Sequence, residues 1–319
     1  MNNQNRGRGR NNGNNGNNQF NNPYHLDPNG EDISIERKLD KDMFCPFTSL
    51  SSNFGLQSDY YSMRTVNPLN ESFFYTIESL IFPNATLFQI SSILCYVITI
   101  IFVITLLFGI DDTNRNKFLP IKMSTADIGS FYPTKIKQNF FQYYRLFTFH
   151  FIHFNFTHLF FNIISLVSFC SFFELLIKKY AYLLILFLTG ITCNLTSIAI
   201  FGENERYCGL NSGIFGILGA FAMFFIMNWG DLIPMFGQVG RFLTAYLVSV
   251  YMFISFVFFH LNEYGNILVQ LLSLLYGGLI FSIFVKPIKV MRWKTILRVL
   301  SVIIICSFMI ISIIKFYLK

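Results

Sequence analysis

Polar and apolar positions in this chain are segregated into long blocks rather than interleaved at short period. Met1 to about Gly30 is polar and rich in Asn and Gly, and Glu31 to Pro83 is mixed. Apolar runs of about 20 residues follow, the length needed to cross a hydrocarbon core as a helix. They fall at about 88–110, 151–173, 180–201, 209–228, 242–261, 266–285 and 297–316. The pattern predicts an all-α polytopic membrane protein with seven spans.

The segments between the runs complete this organisation. Residues 1–30 carry too little apolar surface to offset ordering and are expected to be disordered. Residues 31–87 form a juxtamembrane region to which the sequence assigns no fold. Residues 88–285 form the membrane core, and residues 286–319 add a basic loop and a further C-terminal span. The first apolar run, about ninety residues in, is expected to act as an uncleaved signal anchor. The 111–148 loop is too long for a hairpin and holds Phe131, Tyr132, Phe140, Phe141, Tyr143 and Tyr144, rings suited to the membrane–water interface.

Composition narrows the function classes. The chain is 53% hydrophobic and only 13% charged, against about 25% charged in ordinary globular domains. Its net charge of +7 sits in tails and loops, so it reads as an orientation determinant rather than a nucleic-acid footprint. With the N-terminus in the cytosol, inner segments hold 15 Lys and Arg and outer segments nine, six of them in the 111–148 loop. Six scattered cysteines, mostly within apolar runs and without CxxC spacing, are expected to be buried free thiols. No cofactor is expected. No acidic residue lies mid-span, which leaves a transporter or channel little support.

Two runs carry polar groups at depths where membrane proteins can least ignore them. The second begins Arg145-Leu-Phe-Thr-Phe-His150-Phe-Ile-His153-Phe-Asn-Phe-Thr-His158-Leu-Phe-Phe-Asn162, with three of the five histidines of the chain. His158 and Asn162 are four apart and share a helix face. His150 and His153 could share a ligand face, but no carboxylate or thiolate completes a metal cluster; a network of satisfied, buried imidazoles is the other structural reading. The fourth run opens Gly209-Leu-Asn211-Ser212-Gly-Ile-Phe215-Gly216-Ile-Leu-Gly219-Ala220. Its small residues, three or four apart, make a face that a neighbouring backbone can approach closely.

These segments resemble rhomboid intramembrane serine proteases. Rhomboids have His-x4-His-x3-Asn in the second core helix, which His153, His158 and Asn162 match. Tyr144-Arg145 resembles the end of the first loop in that family, and Glu174 matches its glutamate at the end of the second helix. The fourth core helix of rhomboids begins Gly-x-Ser-Gly and continues Phe-Gly-x-x-Gly-Ala. Gly209, Phe215-Gly216 and Gly219-Ala220 match it without gaps, so the serine position falls on Asn211 and Ser212 takes the second glycine. The sixth helix reads His-x-x-Gly-x-x-x-Gly; Ser273 and Gly277 fit the glycine positions, and Gln270 stands where the histidine belongs. The resemblance implies a six-helix core plus one helix, with His158 and Asn162 as oxyanion-hole residues and His153 structural.

The same resemblance marks what chemistry is missing. An Asn amide is not a useful nucleophile, and a Gln amide neither takes nor returns a proton near neutral pH. The expectation is a rhomboid-like pseudoprotease that binds transmembrane segments of client proteins within the lipid bilayer. In that reading Asn211 hydrogen-bonds Gln270 in place of the serine–histidine contact. The alternative is an active intramembrane endopeptidase in which the loop before span 4 is one residue longer and Ser212 is the nucleophile. That arrangement shifts Phe215-Gly216 and Gly219-Ala220 out of register and leaves His260, in the turn before span 6, as the only outer-side base candidate.

Overall fold

A computed structural model describes residues 89–111, 118–202, 206–233, 238–261, 267–285, 287–289 and 291–318. The two N-terminal segments expected at 1–30 and 31–87 lie outside these residues. Seven helices are long and apolar enough to cross a membrane: Ile90–Leu107, Phe156–Leu176, Lys179–Ile200, Asn211–Leu232, Gly240–Phe259, Ile267–Phe284 and Arg292–Leu318, spans 1 to 7. Among the described residues the rest is short helices, turns and two isolated β-bridges. The chain is an all-α polytopic membrane protein.

Two spans differ from their apolar runs for local reasons. Span 2 starts at Phe156 rather than near 151 because Asn155, in extended conformation, caps it: its Oδ1 accepts the His158 N–H at 2.9 Å. Residues Phe149–Phe151 form a separate 3-10 turn ahead of that cap. Span 7 starts at Arg292, several residues before its apolar run, because its charged first turns find acceptors. Lys294 Nζ donates to the Lys289 carbonyl at 2.8 Å and lies 3.7 Å from Asp231, and Arg298 Nε donates to the Ser282 carbonyl at 3.0 Å. Arg298 sits by the last turn of span 6, where carbonyls are otherwise unpaired.

Span 4 is the centre of the bundle, with 72% of its length buried against 22% for span 5. Its glycines set the approach of its neighbours. A Cβ on Gly213 would stand 2.7 Å from the Leu186 carbonyl oxygen of span 3. One on Gly219 would strike the Leu274 carbonyl of span 6, and one on Gly277 the Gly216 carbonyl. Spans 4 and 6 therefore cross backbone to backbone. Phe215, Phe221 and Phe224 from span 4 and Tyr276 and Phe281 from span 6 fill the space around the crossing.

Polar caps fasten both ends. Where spans 1, 3, 5 and 7 begin, the buried Glu174 carboxylate accepts from Ile90 N–H at 2.7 Å, Ser91 N–H at 2.9 Å and Ser91 Oγ at 2.8 Å. A carboxylate thereby satisfies the orphan donors at the start of span 1. At the other end, the loop between spans 1 and 2 folds into short helices, Met123–Gly129 and Pro133–Gln138, and a 3-10 turn, Phe140–Tyr144. The buried Arg145 ties it together, donating to the Ser130 carbonyl at 2.9 Å and to Gln142 Oε1 at 2.6 Å. Phe131 and Tyr207 exchange both backbone bonds, at 2.9 and 3.1 Å, which closes this loop onto the entry to span 4.

Candidate functional site

The site forms where spans 2 and 4 begin. Gly209 enters span 4 with φ +89°, a left-handed conformation that glycine adopts without strain. A Cβ there would lie 2.6 Å from the His158 ring, so the glycine also makes room for the imidazole. Gly209 N–H donates to the Phe149 carbonyl at 2.8 Å, fixing the entry loop to the segment before span 2. Asn211 follows as the first residue of the helix.

Asn211 Oδ1 is the acceptor on which the site converges. It lies 3.0 Å from His158 Nε2 and accepts from Asn162 Nδ2 at 2.9 Å. Because an amide oxygen can only accept, His158 carries its proton on Nε2. Asn162 Nδ2 also donates to the His158 carbonyl one turn back, at 2.9 Å, which fixes the rotation of its amide. His158 and Asn162 are fully buried. Two donors aimed at one oxygen is an oxyanion-hole geometry, and here the oxygen belongs to the protein itself.

The three histidines do not form a ligand set. His153 packs edge-on against His158, ring centroids 4.9 Å apart. Burial, with His158 as a neighbour, pushes its pKa well below the ordinary imidazole value. His150 faces elsewhere: its Nδ1 donates to the Phe147 carbonyl at 2.9 Å, and its Nε2 abuts Gly190 of span 3. Burial lowers its pKa to about 4, so the ring is neutral at pH 7. Among the described residues no group of three or more His, Cys, Asp or Glu side chains could hold a metal ion.

The expected Asn211–Gln270 bond is not formed. Gln270 is 2% exposed, and among the described residues neither of its amide atoms has a hydrogen-bond partner. Asn211 turns its amide oxygen to span 2 instead, where two donors already take its two lone pairs. Ser212 is buried, and its hydroxyl makes no hydrogen bond among the described residues. The side chain of His260 is not among those described.

The structure thus brings His153, His158, Asn162, Gly209 and Asn211 together. Ser273 instead bonds back to the Val269 carbonyl at 2.7 Å and approaches Cys193 Sγ at 3.2 Å, while Gly277 serves the helix crossing. Arg145 and Glu174 lie apart, in the loop and at the far end of span 2. Sequence reasoning missed Asn155, Gly190 and the link from Tyr251 OH to Ser165 Oγ at 2.8 Å between spans 5 and 2. Only Asn155 carried a readable signal, an Asn three residues before a buried polar position.

A protein-family model described as Rhomboid domain matches residues 141–284. No curated protein matches the chain. The matched segment runs from the turn before Arg145 to the end of span 6, and so contains the Asn211 site and the crossing of spans 4 and 6. By this domain, and by the helical membrane architecture that houses it, the chain is a rhomboid-like membrane protein.

Proposed function

We propose that this chain is a rhomboid-family pseudoprotease that holds transmembrane segments of client membrane proteins rather than cleaving them. The carrying observation is the engagement of His158 Nε2 and Asn162 Nδ2 by Asn211 Oδ1. Acyl transfer needs a nucleophile, a base within hydrogen-bond reach and free donors for the developing oxyanion. Here the serine position supplies an amide, its oxygen occupies the donors, and the base position supplies the unpartnered Gln270. Each departure removes a different requirement. Together they leave a polar interior inside a bundle whose fifth span is lightly packed, an arrangement suited to a lipid-embedded partner.

A fluorophosphonate serine probe on the detergent-solubilised full chain tests this reading, with Ser212→Ala in parallel and an active rhomboid as positive control. The expected result is labelling of the control alone. Labelling of this chain that vanishes with Ser212→Ala would overturn it. The client-holding half is tested by photo-crosslinking to synthetic transmembrane helices, where crosslinks mapping to the site-facing spans are expected.

The Glu174 end is assigned to the cytosol. Lys178, Lys179, Arg241, Lys289, Arg292, Lys294 and Arg298 gather there, as the positive-inside rule requires. Residues 1–87 are then cytosolic too. In sealed right-side-out vesicles an N-terminal epitope is expected to be protected from protease, and in inverted vesicles to be digested; the opposite pattern would reverse the assignment.

A further inference from the structure

Span 7 lies outside the matched domain and packs against the bundle by one face only. Lys294, Ser301, Ser312 and Phe316 are buried, spaced along one helix face. Ile296, Val299, Ile303, Ile310 and Ile314 stand exposed on the rest. The two serines let the helix lie close: Ser301 Oγ accepts from Ser282 Oγ at 2.7 Å and donates to its own Leu297 carbonyl at 2.8 Å. Among the described residues of the span, Phe316 is the one large apolar side chain that is buried.

Phe316 does not bury itself against the main core. It closes a second cluster with Phe131, Ile136 and Phe149 of the first loop and Ile198 of span 3. Beside it, Tyr317 and Tyr143 join hydroxyls, and Lys315 Nζ donates to the Ala199 carbonyl at 3.3 Å. The loop residues in this cluster are the ones that reach the site. The carbonyl of Phe149 holds Gly209 N–H, and Phe131 holds Tyr207. Gly209 in turn lies against the His158 ring, which bonds Asn211.

We propose that Phe316 and Tyr317 are positioning residues: the last turn of span 7 clamps the first loop and, through Phe149 and Phe131, holds the entry to span 4 in the geometry the site requires. Span 7 is then a part of the site's support rather than an added anchor. The inference is independent of whether the site is catalytic.

Cys208 supplies a native reporter. It stands between Tyr207 and Gly209, 8% exposed, and burial pushes its thiol well above the ordinary range. Loosening of the entry loop both uncovers it and raises its thiolate fraction, and each effect speeds alkylation. The experiment measures labelling of Cys208 by a hydrophilic maleimide, by peptide mass spectrometry, in the full-length chain in detergent with Cys45→Ser and Cys306→Ser. Phe316→Ala is expected to raise the rate at least tenfold and Phe316→Leu to restore most of the protection. Ile314→Ala, on the exposed face, should leave it unchanged. Glu174→Gln, which weakens the opposite end, should lower the melting midpoint without exposing Cys208, separating positioning from general destabilisation. An unchanged rate in a folded Phe316→Ala protein overturns the proposal. Should that variant not fold, the milder Tyr317→Phe decides: a rise of about threefold, one interhelical hydrogen bond's worth, supports the clamp, and no rise overturns it.

Discussion

At the scale of single residues, Asn211 acts as an acceptor in place of a nucleophile, and this predicts an asymmetry. Asn211→Leu orphans two buried donors, His158 Nε2 and Asn162 Nδ2, at a cost of roughly 1–3 kcal/mol each. Gln270→Leu removes an amide that has no partner, so thermal stability in detergent should be unchanged or higher. The double variant should show no coupling beyond the sum of the two. Equal losses with strong coupling would instead restore the Asn211–Gln270 pair. His150 makes a second prediction. Its folded pKa of about 4 lies below the ordinary 6.5 because burial disfavours the cation. Between those values the unfolded chain binds a proton that the folded one does not, so stability is complete above about pH 6.5 and falls toward pH 4, by roughly 3 kcal/mol. His153 is shifted the same way and adds to the slope. A melting series from pH 7.5 to 4.5 should show the loss, and His150→Phe should flatten it; a His150→Phe series as steep as that of the parent would assign the loss to other groups.

At the scale of elements, the helix crossing carries the strongest steric demand. Gly277→Ala would drive a methyl into the Gly216 carbonyl, and Gly219→Ala one into the Leu274 carbonyl, backbone on both sides with no side chain to yield. Each should destabilise by roughly 1–3 kcal/mol or more as overpacking, while Gly230→Ala, where a Cβ meets nothing, should be silent. Melting midpoints of the three variants check this, and a silent Gly277→Ala would mean that the helices separate freely. This crossing was legible in the sequence, because small residues three or four apart leave few alternatives in lipid. The span count was legible for a similar reason: hydrocarbon thickness sets the length of an apolar run. Helix starts were not, since hydropathy does not distinguish Phe149–Phe151 in a 3-10 turn from the same residues in a helix. Asn155 decided the start of span 2 through one side-chain bond. The histidine–asparagine group was legible as i, i+4 spacing, but its acceptor was not. Which of two neighbouring polar groups takes a lone pair depends on distances of a few tenths of an ångström, which no spacing encodes.

At the scale of the whole molecule, burial is uneven in a way that bears on access. Span 4 is enclosed, while span 5 is held chiefly through aromatic contacts: Phe258 on Phe161, Tyr251 stacked on Phe169, and Phe256 and Phe259 on Phe215. Lipid chains can replace such apolar contacts at little cost, because a hydrocarbon tail is as apolar as the side chain it displaces. The Tyr251–Ser165 bond has no such substitute in lipid, so it is a directional link across the seam between spans 2 and 5. An interhelical bond of this kind contributes about 0.6 kcal/mol, enough to shift an opening equilibrium about threefold. Tyr251→Phe keeps the ring and its stacking and removes only the hydroxyl. If clients enter through this seam, the variant should raise photo-crosslinking of a polyleucine transmembrane helix about threefold, with the new crosslinks on spans 2 and 5. Ser165→Ala should match it, and combining the two should add nothing, since both sever the same bond. Unchanged yields, or crosslinks gathered on spans 3 and 7, would move the entry route to another face. The same bond would then be a packing detail of a closed bundle.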